Sequence, residues 1–194
     1  METLQNKNRF REFIIRITDL VEEEAGNESV ILDTGAKHLN RLVARDDWLP
    51  DFCARPDPDY YQQYLLYVDP QERFSIVSFV WGPGQRTPIH DHTVWGVIGM
   101  LRGAEQEQRY QSADGILVPT ECTTLALGDV AMVSPAVGDV HQVSNVYEDR
   151  VSVSIHVYGA DIGKVTRHIY FAETGEKKHF ISGYADVCPP AYWD

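Results

Sequence analysis

Three histidines stand where the sequence could bind a metal ion. His90 and His92 are separated by one residue, and His141 ends a later Gly-Asp-Val-His segment. Because successive side chains of a strand point to opposite faces, a His-x-His pair projects to one side. Imidazoles suit zinc, copper, iron and nickel, whereas magnesium and calcium prefer oxygen ligands. An isolated pair would more often be two partly exposed strand histidines, so the prediction of a transition-metal site depends on the flanking residues.

A second polar group follows in residues 151–159. Ser154, His156 and Tyr158 alternate with valine and isoleucine, which predicts a strand with one polar and one apolar face. The apolar face should pack against other side chains, so the polar face should line a cavity. Serine, imidazole and phenol in a row can satisfy one another's hydrogen bonds and fix the imidazole tautomer. Periodicity alone leaves open a satisfied interior polar ladder without a chemical role.

The residues around the histidines resemble the two motifs of the cupin family. The first motif has a glycine, five residues, His-x-His, a glutamate and a glycine, and Gly84 and Gly103 stand at the family spacing. Matching positions for the second motif are Gly128, Pro135, Gly138, His141 and Asn145. Among them, the proline departs from the family spacing. Gly96 stands where the family has glutamate, so the resemblance implies three neutral histidine ligands without a carboxylate.

The whole ordered set is similar to the bacterial thiol dioxygenases, which are relatives of cysteine dioxygenase. The match extends from about Tyr61 to Arg167. In that family three histidines hold ferrous iron (Fe2+) beside a serine-histidine-tyrosine triad. The resemblance therefore implies oxidation of a small thiol by O2 to a sulfinic acid, with Ser154, His156 and Tyr158 as the catalytic triad. A ferrous ion held by neutral imidazoles keeps its full charge, which favours an anionic thiolate.

Two departures from the mammalian cysteine dioxygenases concern the substrate. Gly96 replaces the cysteine that becomes crosslinked to the cavity tyrosine, so no crosslink to Tyr158 is expected. Gln63 stands where those enzymes hold the cysteine carboxylate with arginine, and Gln62 is the alternative if the alignment shifts. This pattern resembles the subgroup that prefers 3-mercaptopropionate, in which an arginine after the catalytic strand meets the carboxylate. Arg167 is the matching residue.

Several alternatives stay open from the residues alone. Arg167 offers a planar fork of donors suited to a carboxylate, but a surface arginine paired with an acid would also fit. Gln63 could simply bond to backbone. Cysteine or cysteamine could be the main substrate. A cupin sensor with a structural metal belongs to another class, for which a closed four-ligand zinc site would be expected.

Composition limits the partners. The chain has 194 residues, 43% of them hydrophobic, and a net charge of -12. This length predicts one domain over residues 1–194, and the negative charge argues against a nucleic-acid partner. The three cysteines, Cys53, Cys122 and Cys188, suggest no disulfide framework. No membrane or export segment is evident, so we expect a cytoplasmic protein whose partners are a small thiol and O2. The sequence favours no oligomeric state.

The elements that must position these residues are a helical layer and a barrel. Apolar spacing predicts a helix at about 5–25 and a second over 35–43, followed by a loop at 50–58. From about residue 59 onward, alternating patterns predict a cupin-type antiparallel β-barrel or jelly roll. The final predicted strands cover 168–171 and 179–181. We expect the helices of residues 1–58 to pack on the outside of the barrel.

Overall fold

The structure, a computed structural model, describes residues 2–189, with side chains from residue 8 onward. Helix α1 spans Glu2–Glu23 and helix α2 spans Glu28–Val43. The second helix begins well before the predicted position 35, because the acidic Glu28 in its first turn complements the helix dipole. A short 3-10 helix, Asp51–Ala54, lies in the stretch predicted as loop. It starts after a proline, which is pre-set for such a turn.

Within residues 2–189, twelve strands follow the helices. In chain order they are β1 Gln62–Val68, β2 Ser75–Trp81, β3 Ile89–His90, β4 Gly96–Arg102, β5 Glu105–Ala113, β6 Ile116–Leu125, β7 Val130–Val133, β8 His141–Asn145, β9 Ser152–Tyr158, β10 Arg167–Tyr170, β11 Lys177–Phe180 and β12 Asp186–Val187. The last two predicted strands are thus present, each starting one or two residues earlier. The strands pair antiparallel, apart from the parallel pair of β1 and β12.

The strands form two six-stranded sheets. The helix-covered sheet has the order β12-β1-β2-β9-β4-β7, and the histidine sheet, which carries His90 and His141, has the order β11-β10-β3-β8-β5-β6. The predicted fold class, a cupin-type β-barrel with an N-terminal helical layer, is confirmed.

Packing differs between the two sheets. All seven residues of β2 and of β9 are buried, because helices cover the outer face of their sheet. Helix α2 approaches β4 closely at Gly99, where a Cβ atom would lie 2.9 Å from Leu39 Cγ and 3.1 Å from Val43 Cγ1. In the histidine sheet, β6 and β11 are mostly exposed. The main apolar core therefore lies between the helices and one sheet.

Two expectations about covalent and membrane features can be compared with the structure. None of the cysteines Cys53, Cys122 and Cys188 is in a disulfide, as predicted. Within residues 2–189, no helix is long and apolar enough to span a bilayer.

Candidate metal and substrate site

The three predicted metal ligands come together inside the barrel. His90 on β3 is directly paired with His141 on β8, and the ring centroids of each pair among His90, His92 and His141 are 4.9 Å apart. All three are less than a tenth exposed. The strand ends at His90, earlier than predicted, because the Asp139 carboxylate accepts the backbone N–H groups of His92 and Thr93. The ligand atoms of the three histidines nevertheless lie within 4.8 Å of one another.

Each of these imidazoles is held from behind through its Nδ1 atom. A neutral imidazole carries one N–H, so a hydrogen bond from Nδ1 to an oxygen acceptor leaves the lone pair on Nε2. Acceptors of this kind fix the tautomer and the ring orientation of metal ligands. The pairs are His90 with the Pro88 carbonyl at 3.1 Å, His92 with Asp139 Oδ1 at 2.9 Å and His141 with Glu107 Oε1 at 2.6 Å.

Burial keeps His90 and His92 neutral, whereas a carboxylate behind the third histidine is ionised. Desolvation lowers the pKa of His90 and His92 well below the ordinary range. Burial also raises the pKa of Glu107, but hydrogen bonds from His141 and Arg109 outweigh it, so the net pKa is lowered. Arg109 Nε lies 3.3 Å from Glu107 Oε2. The carboxylate behind His141 is therefore ionised at neutral pH.

This donor set fits a transition metal. Within the described part of the chain, these histidines are the one group of three or more His, Cys, Asp or Glu residues whose ligand atoms converge. Three nitrogen donors suit iron or zinc better than calcium or magnesium. Three protein ligands leave further coordination positions for small molecules, as in catalytic rather than closed structural sites.

The polar residues of β9 are buried and hydrogen-bond to one another. On β9, the Ser154 hydroxyl lies 2.8 Å from His156 Nε2, and His156 Nδ1 lies 2.8 Å from the Tyr158 hydroxyl. The Trp81 indole donates to Ser154 Oγ at 3.2 Å. Burial raises the pKa of Tyr158 and lowers that of His156 well below its usual range, so both are neutral. The Tyr158 ring stacks on His92 with centroids 5.2 Å apart, which joins this strand to the histidines.

Gly96 explains why no carboxylate ligand is present. It is paired with Tyr158 across β4 and β9. A Cβ atom at this glycine would lie 2.8 Å from Tyr158 Cδ1 and 3.0 Å from Val133 Cγ2. The Tyr158 ring therefore occupies the space that a glutamate or cysteine side chain at position 96 would need.

Arg167 is buried rather than on the surface. It is 3% exposed, and its Nη2 donates to Ser182 Oγ at 2.6 Å. Its guanidinium carbon lies 4.7 Å from the centroid of the Phe180 ring, while its Nε has no hydrogen-bond partner among the described residues. Burial lowers the pKa of Arg167. The alternative of a surface arginine paired with an acid is wrong, because no described carboxylate forms an ion pair with it.

The two glutamines at the start of β1 face opposite sides. Gln63 is directly opposite Phe79, whose ring stacks on His156 with centroids 4.1 Å apart. Residues directly opposite one another share a sheet face, so Gln63 is on the same face as Phe79, inside the barrel, where its buried Oε1 has no hydrogen-bond partner in the described part of the chain. Gln62 instead donates to the Tyr60 carbonyl at 2.9 Å in an exposed position. The fallback assignment to Gln62 is therefore disfavoured.

Sequence reasoning missed the acids that support the site. Glu107 and Asp139 hold two of the histidines, and Glu105 is buried on the same strand as Glu107. In an acidic chain they looked like surface residues. One signal was available for Asp139, because it lies two residues before His141 on an alternating segment. For Glu105 and Glu107 the signal was their alternation directly after the Gly103 turn.

Comparison with known proteins places the chain in a family. The sequence model described as Cysteine dioxygenase type I matches residues 11–169, more than half of the chain. The chain belongs to this family. The matched range contains the three histidines, the polar residues of β9 and Arg167, and it also includes most of the helical layer.

Curated relatives include mammalian members of the family. The chain is 28% identical to cysteine dioxygenase type 1 of Rattus norvegicus over 124 residues, covering 61% of this chain and 60% of the relative. It is 27% identical to the Homo sapiens protein of the same name, with the same coverage. The chain thus spans about 60% of the length of the curated relatives it matches.

Among solved structures, similar chains include a double-stranded β-helix protein and an oxalate oxidase. A conserved protein with such a domain from Klebsiella pneumoniae is 21% identical, with a TM-score of 0.44, covering 57% of this chain and 80% of that one. An oxalate oxidase in complex with the substrate analogue glycolate is 16% identical, with a TM-score of 0.43, covering 54% and 53%.

Proposed function

We propose that this protein is a non-haem iron(II) thiol dioxygenase. The reaction adds both atoms of O2 to the sulfur of a small thiolate carboxylate, which gives its sulfinate. One observation carries the proposal: three histidines with converging ligand atoms lie beside the buried Tyr158 ring, in a barrel that also buries Arg167 without an ion pair to any described carboxylate. Membership of the cysteine dioxygenase type I family supports the same chemistry.

His90, His92 and His141 would hold the metal. When bound there, ferrous iron would supply the redox chemistry that joins O2 to thiolate sulfur. The protein contributes a neutral ligand set, so an anionic thiolate is favoured at the centre. The carboxylates of Asp139 and Glu107 lie behind His92 and His141, where their hydrogen bonds to Nδ1 orient the rings.

Arg167 would bind the substrate carboxylate. A buried guanidinium is costly without an anion, and the Nε of Arg167 lacks a partner while Nη2 is taken by Ser182. An arriving carboxylate would accept from the unpaired N–H in a charge-assisted hydrogen bond. The same contact would fix the thiol end of the substrate relative to the histidines.

Tyr158 would donate a hydrogen bond to the reacting group. Its phenol is neutral because burial raises the pKa, and its ring is held against His92. His156 and Ser154 would keep the hydroxyl in place through their hydrogen bonds. These residues thus orient a proton donor and do not themselves change charge.

The preferred substrate in this proposal is 3-mercaptopropionate, and the product is 3-sulfinopropionate. The amide of Gln63 replaces an arginine, so the cavity offers one guanidinium for one carboxylate. Cysteine is the second candidate, and one observation favours it. The buried Gln63 Oε1 accepts from no donor in residues 2–189, and the ammonium group of cysteine would be a suitable donor, whereas 3-mercaptopropionate has none.

The test is anaerobic reconstitution with ferrous iron, followed by O2 uptake and product analysis with each thiol. We expect sulfinate formation with one O2 per thiol and a higher kcat/KM for 3-mercaptopropionate. A strong preference for cysteine would overturn the substrate assignment. Tight zinc binding and no O2 uptake with any thiol would overturn the activity and favour a sensor.

A further inference from the structure

The side chain of Arg167 points to the same side of its sheet as the metal-site residue His90. Arg167 and Ile169 alternate along β10, and Ile169 is directly opposite His90, so all three side chains share one sheet face. Arg167 is itself directly opposite Phe180 on β11, and its guanidinium packs on the Phe180 ring. The position of this guanidinium therefore depends on β11 and on the residues that follow it.

Residues 180–188, here called the strap, lead from the end of β11 to β12 and one residue beyond it. They lie outside residues 11–169, the range that the family model matches. Within the strap, Ser182 is half-buried, and its Oγ accepts a hydrogen bond from Arg167 Nη2 at 2.6 Å. The strap thus contributes a direct polar contact to the guanidinium that is proposed to bind substrate.

Hydrogen bonds on the C-terminal side of Ser182 fix the strap. They connect it to the loop after β9 and to the main chain of β1. The pairs are Gly183 N–H with the Gly163 carbonyl at 3.1 Å, the Tyr184 hydroxyl with Asp161 Oδ1 at 2.5 Å, and Ala185 N–H with the Gln63 carbonyl at 2.8 Å. On its N-terminal side the strap continues from the paired strand β11. Ser182 is therefore held from both sides and is a fixed point for the guanidinium.

Two contacts restrict the flexible side chain of Arg167. Phe180 contacts its guanidinium carbon and Ser182 contacts Nη2, whereas Nε has no partner within residues 2–189. An arginine side chain that is ordered only when substrate binds loses conformational entropy at that moment, which weakens binding. Ordering the guanidinium beforehand, with one N–H left open, avoids this loss.

We propose that Ser182 is a positioning residue for the carboxylate of the substrate. It acts through Arg167, because its hydroxyl holds Nη2 while the open Nε–H meets the carboxylate. A neutral serine also leaves the positive charge of Arg167 uncompensated, so the charge is available to the substrate. This inference rests on the proposed function, since it assumes that Arg167 binds the substrate carboxylate.

The first test measures the Kd of 3-mercaptopropionate by calorimetry with the anaerobic, iron-loaded full chain. Ser182→Ala should raise this Kd about 3–10-fold, in the range of one hydrogen bond, whereas Ser182→Thr keeps the hydroxyl and should keep the wild-type Kd. 1-Propanethiol has a methyl group in place of the carboxylate, so its Kd should be the same in every variant. Ser112→Ala, at an exposed position on β5, is the matched control.

Ser182→Asp separates positioning from a purely structural role. Its carboxylate would pair with the Arg167 guanidinium and compete with the substrate, so the Kd of 3-mercaptopropionate should rise roughly 10–100-fold, the range for a charged hydrogen bond. The midpoint of urea unfolding should stay at or above the wild-type value, because the buried charge gains a partner. A purely structural role would instead weaken binding and stability together.

Three results would overturn the inference: an unchanged Kd in Ser182→Ala, an equal rise for both thiols, or a lower Kd, which would mean that the serine competes with the substrate for Nη2. If Ser182→Ala does not fold, Ser182→Thr is compared with Ser182→Asp, and equal Kd values would overturn it. Absence of O2 uptake by the wild type with any thiol would overturn the proposed activity, while calorimetry would still report whether Ser182 affects carboxylate binding.

Discussion

The two sheets hold their functional side chains by different means. In the histidine sheet, polar atoms hold each metal-site imidazole from behind. In the helix-covered sheet, the residues of β9 hydrogen-bond to one another, and close packing fixes their rings: the centroids of Phe79 and His156 are 4.1 Å apart, and Gly96 makes room for Tyr158. Polar contacts fix where a lone pair points, whereas packing fixes where a ring lies.

This difference predicts which substitutions should change metal affinity and which should change stability. Changes behind the histidines should alter metal affinity with little loss of stability, because the edge strands β6 and β11 of that sheet are already mostly exposed. Changes beneath the helices should alter stability with little loss of metal. A substitution that altered both equally would contradict the division.

The largest expected effect is on turnover. Tyr158→Phe keeps the ring against His92 but removes the hydroxyl, so kcat should fall by roughly 100-fold or more, the range for loss of a positioned proton donor. Iron content should stay at the wild-type value. Steady-state O2 uptake and metal analysis measure the two quantities. Tyr60→Phe, on an exposed tyrosine, is the control, and unchanged turnover in Tyr158→Phe would refute the role.

The next effect is on stability. Leu39 is fully buried on α2 and lies over Gly99, so Leu39→Ala should lower the free energy of unfolding by about 2–5 kcal/mol. Metal affinity should be unchanged. Urea denaturation and metal titration would measure this, with Ile15→Ala on the exposed face of α1 as control. A loss in the free energy of metal binding greater than the loss in the free energy of unfolding would contradict the division between the two sheets.

A smaller effect is expected behind the histidines. Glu107→Gln removes the negative charge that orients His141, and metal affinity should weaken by about 10–100-fold. The transition in urea should move little. Competition with a chelator measures the affinity, and Glu121→Gln, on the exposed strand β6, serves as the matched control. Equal affinity in both variants would show that Glu107 does not orient the ligand.

The smallest effect concerns the two glutamines. Gln63→Met should raise KM by up to about tenfold, as expected for one hydrogen bond of about 0.5–1.5 kcal/mol, whereas Gln62→Met on the other face should leave it unchanged. KM is measured with both thiols, and the thiol with the larger change in KM is the substrate that Gln63 contacts. Identical results for the two variants would remove Gln63 from the site.

Part of the fold and of the candidate site could be predicted from the sequence because the signals were local. Alternation placed the polar residues of β9 on one face, and the spacing of His90 and His92 predicted their convergence. The supporting acids were different. The histidines that Glu107 and Asp139 contact lie elsewhere in the chain. Local alternation is too weak a signal to separate Glu105, Glu107 and Asp139 from the surface acids of a chain with a net charge of -12. The predicted start of α2 at residue 35 was also wrong, because a charged residue in the first turn hides the helical spacing of the apolar residues.

Strand β4 has a further consequence for how the two layers communicate. It lacks a side chain on the inside at Gly96, where the Tyr158 ring fits, and on the outside at Gly99, where Leu39 fits. At these two positions, three residues apart, only main-chain atoms of β4 lie between the helices and the interior of the barrel. A shift of α2 would reach Tyr158 through the backbone of β4, with no intervening side chain at these points to absorb the movement.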